Sequence, residues 1–290
     1  MFNPEDDDTM PFAMAECDPL KSSRPPRRPL ALLLLSVLLA ALIPQASLPA
    51  SVEEKSVDLR PAFGALGLTP LVQGKRGTCS VFVMVQALEF AFAKQENRTQ
   101  RLSAEFLNWA SNRATNDKED GGFFSDLWSG FEAYGICRES ALPYAEKFDP
   151  NLEPSPAARE DAEPRRKAGL ELHWIKKWDP KCGLTDDELG RVLETLAAGR
   201  PVCGGFLWPK KAVWTKGVLE ICPRDQVFDG HSLLLVGFKD DANQPGGGLL
   251  LIRNSGGASR DGCITYAYAK AYMNDAAWID AGGNSGQDRK

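Results

Sequence analysis

Residues 73–90 read Gln-Gly-Lys-Arg-Gly-Thr-Cys-Ser-Val-Phe-Val-Met-Val-Gln-Ala-Leu-Glu-Phe, a glycine-bearing loop followed at once by an apolar run. Cys79 ends the loop and opens the run, so its thiol is predicted to lie at a helix N-terminus. The positive end of a helix dipole favours the thiolate, which is the nucleophilic form of cysteine. The run from Cys79 to about Lys94 is apolar on nearly every side, which predicts a buried helix.

A second chemical group lies close to this cysteine in the sequence. Gln73 precedes Cys79 by six residues, and its side-chain amide can reach back over the same spot. An amide N–H is a suitable donor to the oxyanion that forms when a thiolate attacks a carbonyl. The stretch therefore supplies a candidate nucleophile and a candidate oxyanion ligand.

The predicted elements fall into two groups along the chain, with helices first and strands second. Helices are predicted at 79–94, 104–111 and 125–134, and a capping box at Thr185 and Glu188 predicts another that ends near Gly199. Strands are predicted over 170–176, 201–207, 232–238, 249–253 and 263–268, and a surface connection is predicted over 144–166. This segregated order favours an α+β fold over alternating βαβ units.

Composition limits the partners and the domain organisation. The chain has 290 residues and a net charge of −5, so it lacks the basic footprint of a nucleic-acid-binding protein. We divide it into an N-terminal tail over 1–50, a helical half over 51–160 and a β-rich half over 161–290. The part after the tail is long enough for one large domain or two closely packed ones.

The N-terminal tail contains an apolar run over 30–43, and four basic residues between 21 and 28 precede it. A basic region followed by a short apolar run is typical of a signal peptide. Residues 30–50 could instead serve as a membrane anchor, although a spanning helix needs about 20 apolar residues. Both alternatives place the rest of the chain outside the cytoplasm, either secreted or periplasmic, or anchored.

The cysteines and histidines limit the metal sites, disulfides and catalytic bases that the chain can contain. Seven cysteines occur without a CxxC pair or Cys/His ligand spacing, so we predict no metal and no cofactor. One or two disulfides would be compatible with this number, and their connectivity is open. The chain has two histidines, His173 and His231. His173 lies in an alternating strand and is expected to be a half-exposed strand residue.

His231 and Asn254 complete a constellation with Cys79. His231 follows a glycine where a turn is predicted to enter an apolar strand, and Asn254 follows the end of the next apolar strand. A hairpin of two such strands brings these positions close together. A cysteine nucleophile needs a nearby base and a third group that orients the base.

The order of Gln73, Cys79, His231 and Asn254 along the chain resembles that in the papain-like cysteine peptidases, and most of all in their bacterial branch. His231 and Asn254 follow Cys79 by 152 and 175 residues, slightly more than the spacing usual in that family. Further similar motifs are Val57–Arg60, Leu102–Leu107, Gly121-Gly122, Tyr134–Ile136, Leu142–Tyr144, Val236–Phe238 and Ile252–Ser255. The resemblance implies an α+β fold with a helical left domain, a β-barrel-like right domain and the active site in the cleft between them.

The resemblance also implies a role for each matching residue. Cys79 would attack the peptide carbonyl, His231 would hold and then deliver a proton, and Asn254 would orient the imidazole. The Cys79 backbone N–H and the Gln73 amide would form the oxyanion hole. The glycine pair 121–122 would expose backbone that pairs with an extended substrate.

Four positions depart from the family pattern. Ser80 follows the nucleophile where an aromatic residue is usual, and Gly256 replaces the tryptophan that shields the Asn–His contact. Arg76 and Glu119 stand where the family has two disulfide-bonded cysteines, and a surface ion pair between them is a candidate replacement.

We therefore predict a monomeric, exported thiol peptidase that acts on peptides or proteins. The unusual Ser80 and Gly256 motivate one alternative, a catalytically weak binding protein on the same fold. A transpeptidase or acyl transferase that uses the same acyl-enzyme is the other.

Overall fold

The computed structural model describes residues 55–181, 183–256 and 261–281, apart from the side chain of Asp229. The predicted signal peptide or anchor lies outside these residues. Within these three ranges, no helix combines the length and the apolar character that crossing a membrane requires.

Seven helices are described, and their order agrees with the predicted segregation. Their bounds are α1 Arg60–Ala65, α2 Cys79–Glu96, α3 Ala104–Thr115, α4 Phe124–Tyr134, α5 Pro156–Arg166, α6 Asp186–Ala197 and α7 Tyr266–Tyr272. The strands are β1 Ser56–Asp58, β2 Leu170–Lys176, β3 Val202–Pro209, β4 Trp214–Thr215, β5 Val218–Leu219, β6 Val227–Asp240, β7 Gly248–Arg253, β8 Gly262–Thr265 and β9 Met273–Ala281.

Helix α2 lies at the centre of the molecule. Every residue from Ser80 to Ala93 is buried, which confirms the burial predicted from its apolar sequence. The helix packs on α3 and α4 on one side and on β3, β6 and β9 of the sheet on the other. Its N-terminus is therefore fixed relative to both the helices and the sheet.

The strands form one mixed sheet in the order β2-β9-β3-β6-β7-β8-β5-β4, and β1 pairs with β6 beside this path. The β5–β8 pair is parallel, whereas the other pairs are antiparallel. Along the described strands this sheet is open rather than a closed barrel. Helices that precede a large sheet confirm the predicted α+β class.

One predicted loop is a helix. The segment 144–166 was expected to be a surface connection, but α5 occupies its second part. The Ser155 hydroxyl accepts a hydrogen bond from the Ala158 N–H, and Pro156 is the first helical residue. Ala158 and Ala162, one turn apart, are buried against a small core that includes Trp109. The prediction was wrong because the apolar face of α5 consists of only two alanines, which form too small an apolar pattern to indicate a helix in the sequence.

A second correction concerns the C-terminal elements. The strand predicted over 263–268 ends at Thr265, where α7 begins. The Thr265 hydroxyl accepts a hydrogen bond from the Tyr268 N–H and caps this helix, which the β-favouring tyrosines concealed. Strand β9 was not predicted, although it lies between β2 and β3 in the sheet.

The close crossing of α3 and α4 generates a prediction about stability. A Cβ added at Gly130 would lie 2.4 Å from the Ser111 backbone nitrogen, whereas a Cβ at Gly190 of α6 meets no atom within 4 Å. We expect Gly130→Ala to lower the free energy of unfolding by about 1–3 kcal/mol. Gly190→Ala, the matched control, should raise it by about 0.4–1 kcal/mol. Denaturant unfolding checks both, and equal effects would contradict the close crossing.

The buried carboxyl group of Glu89 generates a prediction about pH. Burial raises the pKa of Glu89 from its ordinary 4.5 to about 7, although Arg101 and the Leu102 N–H lower it. The folded state therefore binds more protons than the unfolded state between about pH 4.5 and 7, and stability falls as the pH rises through this window. Glu89→Gln removes this contribution. Unfolding at several pH values should show a shallower decline for Glu89→Gln, and identical slopes would contradict the assignment.

Candidate active site

Cys79 is the first residue of α2, as predicted, and it faces strand β6. Its Sγ lies 3.8 Å from the backbone oxygen of Gly230, and Ser232 also hydrogen-bonds to the thiol. His231 is the residue between these two contacts. The fold therefore joins the helix that bears the thiol to the strand that bears the candidate base.

Burial changes the expected ionisation of this thiol. It raises the pKa of Cys79 above the ordinary value, while hydrogen bonds from Ser232 and Ser80 act in the opposite direction. The position of Cys79 at a helix N-terminus predicted a lowered pKa. In the structure, burial raises the pKa by more than the hydrogen bonds lower it. A partly buried thiolate is stabilised by a nearby positive charge, which the imidazolium form of His231 can supply.

The geometry of β6 differs from the predicted glycine turn before His231. Strand β6 begins at Val227, so His231 lies inside the strand. Its partner on β3 is Phe206, and the register shifts at the next pair, where Leu207 faces Asp229. Gly230, with a φ of +122°, is the extra residue of this β-bulge. Such a bulge redirects the following side chain, and the positive φ favours glycine there.

His231 and Asn254 are in contact. The distance from His231 Nε2 to Asn254 Oδ1 is 3.2 Å. Asn254 directly follows β7, which pairs antiparallel with β6. Its backbone N–H donates to Asp261 Oδ1 at 2.9 Å, and burial raises the pKa of that carboxyl to about 6. Asp261 was not identified in the sequence, because nothing there indicates that the chain returns to Asn254.

Gln73 is held from several directions. Its Nε2 donates to the Arg76 backbone oxygen at 2.8 Å, and its Oε1 accepts from the Ser255 hydroxyl. Its own backbone oxygen accepts from the Tyr144 hydroxyl at 3.0 Å. An amide nitrogen carries two hydrogens, so one N–H of Gln73 is available beyond the Arg76 bond.

The glycine pair lies against the loop that leads to Cys79. Gly121 is buried with a φ of +101°, and a Cβ there would lie 2.5 Å from the Gly77 backbone oxygen. Gly122 is exposed, so its backbone is accessible to a ligand. Position 121 therefore requires glycine for both conformation and space.

The sequence interpretation missed an aromatic neighbour of the candidate base. The ring of Trp208 lies 4.5 Å from that of His231, centroid to centroid, at an interplanar angle of 60°, and Trp208 is 8% exposed. Strand β3 was predicted to end at residue 207, one residue too early to include it. Trp208 thus covers the imidazole from strand β3, whereas Gly256 lies beyond the end of β7.

The predicted ion pair between Arg76 and Glu119 was wrong. Arg76 is buried and pairs instead with Asp120 and Glu105, at 2.8 and 2.5 Å. The neighbouring Asp120, rather than Glu119, points toward Arg76, and the Glu119 backbone oxygen accepts a hydrogen bond from Asn112. The contact is a buried cluster with two carboxylates, not a surface pair.

The remaining candidate groups lie apart from this constellation. His173 is a half-exposed residue of β2, as predicted, and its Nε2 lies 2.9 Å from Asp280 Oδ1 on β9. Its ring stacks on Trp278 with a centroid distance of 4.1 Å. No disulfide joins any two of the five cysteines whose side chains are described, namely Cys79, Cys137, Cys203, Cys222 and Cys263.

Comparisons with known proteins give the family of the chain. The family model described as papain family cysteine protease matches residues 54–275. The chain belongs to this family. A search of curated protein sequences found no match.

Solved structures show the same fold. Xylellain, a cysteine protease from Xylella fastidiosa, is 21% identical, with a TM-score of 0.59 over 78% of this chain and 85% of that protein. Digestive procathepsin L 3 from the larval midgut of Tenebrio molitor is 19% identical, with a TM-score of 0.52 over 78% of this chain and 69% of that one. At these identities the likeness shows the papain-like fold alone.

The Trp208–His231 contact can be tested by substitution. Trp208→Leu removes an aromatic contact worth about 0.5–1.5 kcal/mol, so we expect kcat/KM for a peptide substrate to fall by about two- to tenfold. Trp208→Phe should retain most of the activity. Trp278→Leu is the matched control, because it removes the ring that stacks on the other histidine. Equal activity of the Trp208→Leu and Trp278→Leu variants would contradict a role at His231.

Proposed function

We propose that this protein hydrolyses peptide bonds through an acyl-enzyme on Cys79. The contact between His231 Nε2 and Asn254 Oδ1 carries the proposal, because it fixes an imidazole within the strand segment that hydrogen-bonds the thiol. A thiol, a base and a group that orients the base are the requirements for this type of nucleophilic catalysis. Membership of the papain family supports the same chemistry.

In the proposed reaction, His231 holds the proton of Cys79 and the thiolate attacks the substrate carbonyl. The oxyanion receives hydrogen bonds from the Cys79 backbone N–H, which lies in the first turn of α2, and from the second N–H of Gln73. The imidazolium then protonates the leaving amine. Water, deprotonated by His231, hydrolyses the thioester and restores the thiol.

The binding of substrate follows from the surroundings of the nucleophile. Gly122 is exposed beside the loop of Cys79, which supports backbone pairing of the 121–122 segment with an extended peptide. We propose a cleft between a helical half over 51–160 and a β-rich half over 161–290. The substrates are peptides or proteins, and the protein acts as a monomer.

The N-terminal sequence supports export. The basic residues and the apolar run over 30–43 form a signal-peptide pattern, or an anchor that leaves the catalytic part outside the cytoplasm. We propose a secreted or periplasmic peptidase, or one anchored through residues 30–50.

Active-site labelling tests the proposal directly. An epoxide-type inhibitor of papain-like enzymes and iodoacetamide should both modify Cys79 first, and Cys79→Ser should abolish labelling by the epoxide as well as peptide cleavage. Cys222→Ser is the matched control, because Cys222 is also partly exposed and free. Preferential labelling of Cys222, together with no cleavage of any peptide, would overturn the proposal.

A second candidate function is binding without turnover on the same fold. It is supported by the burial that raises the pKa of the Cys79 thiol. The pH dependence of Cys79 alkylation separates the two functions, since a pKa near about 8.5 favours binding and a strongly lowered one favours catalysis. Adding an amine acceptor to a cleavage reaction distinguishes hydrolysis from acyl transfer.

A further inference from the structure

A buried arginine lies within the loop that leads to the candidate nucleophile. Arg76 makes a forked pair with Asp120, with Nε–Oδ2 and Nη2–Oδ1 distances of 2.9 and 2.8 Å. Its Nη1 donates to Glu105 Oε2 at 2.5 Å and to the Ala145 backbone oxygen at 2.8 Å. Four of the five guanidinium N–H groups are thus used, which fixes the plane of the group.

The first branch of this cluster leads to the oxyanion ligand. The backbone oxygen of Arg76 accepts the hydrogen bond from Gln73 Nε2. The guanidinium carbon lies 4.4 Å from the centre of the Tyr144 ring, and the Tyr144 hydroxyl donates to the Gln73 backbone oxygen. The same hydroxyl lies 2.7 Å from Thr78 Oγ1, next to the nucleophile. Tyr144, whose ring the Arg76 guanidinium contacts, therefore holds both ends of the loop 73–79.

The second branch leads to the glycine pair. Asp120 Oδ1, which pairs with Arg76, also accepts a hydrogen bond from Asn108 Nδ2 at 3.0 Å. Asn108 Oδ1 in turn accepts from the Gly121 N–H at 2.9 Å. Because Asp120 immediately precedes Gly121, its position sets the path of the backbone at the glycine pair.

We propose that Arg76 is a positioning residue that aligns the oxyanion ligand Gln73 with the substrate segment at Gly121. This inference rests on the proposed peptidase function. One positive charge serves the buried Glu105 and the partly buried Asp120, so separating the loop from the glycine segment would leave a charge unpaired. The cluster does not touch the reacting atoms and acts through Gln73 and Gly121.

Kinetics of Arg76→Met test this role. A displacement of about 1 Å at a reacting group costs about 10²-fold in rate, so we expect a fall of that order in kcat. Arg165→Met is the matched control, because Arg165 is also buried and also hydrogen-bonds a carboxylate, that of Asp161. It should lose stability but retain the wild-type kcat when measured below its unfolding temperature.

Hydrogen exchange provides a readout that does not require activity. Arg76→Met should speed exchange of the Gly121 amide, whose acceptor Asn108 is held by Asp120, and Arg165→Met should not. Equal kcat and equal Gly121 exchange in the two variants would overturn the positioning role. If the wild-type protein cleaves no peptide, the proposed function fails, and the exchange experiment alone decides the role of Arg76.

Arg76→Lys covers the case in which Arg76→Met does not fold. Lysine keeps the positive charge between the two carboxylates but has no planar fork. We expect Arg76→Lys to fold and to have a kcat between that of the wild type and that of an inactive protein. Its Gly121 amide should exchange faster than in the wild type but more slowly than an unprotected amide. Wild-type values for both quantities in Arg76→Lys would show that charge alone suffices and would overturn the role assigned to the fork.

Discussion

The burial of α2 between the other helices and the sheet is the constraint on which the site depends. A helix that is apolar on nearly every side is stable only when other elements cover it all round. Here α3 and α4 cover one side and the sheet covers the other. Its N-terminus is therefore fixed against β6, and the first residue of the helix is Cys79. The position of the thiol is thus a consequence of core packing.

Features set by local sequence were predictable. The start of α2 follows from a loop that ends in an apolar run, the bounds of β2 from strict alternation, and the start of α6 from the Thr185–Glu188 capping box. The order of helices and strands indicated the α+β class for the same reason. His231 was singled out because it precedes an apolar strand and Asn254 because it follows the next one, and the hairpin of β6 and β7 accounts for their proximity.

Features set by distant contacts were not predictable. The partners of Arg76 lie 29 and 44 residues away, and whether Asp120 or Glu119 faces inward depends on the turn between α3 and α4. Trp208 contacts His231 only because β3 pairs with β6 at that register. The direction of the Cys79 pKa shift depends on burial, which a dipole argument from sequence does not include. Each of these three errors concerns a tertiary contact, which the local signals in the sequence do not report.

The pairing of β1 with β6 has a consequence for the order in which the protein forms during synthesis. Val57 faces Phe238, and Cys79 lies against Gly230, so early residues contact late ones throughout this part of the molecule. Contacts of such long sequence separation form slowly and only after both partners have been made. A nascent chain of 79 to 230 residues contains Cys79 but lacks His231, so the candidate site can form only late in synthesis.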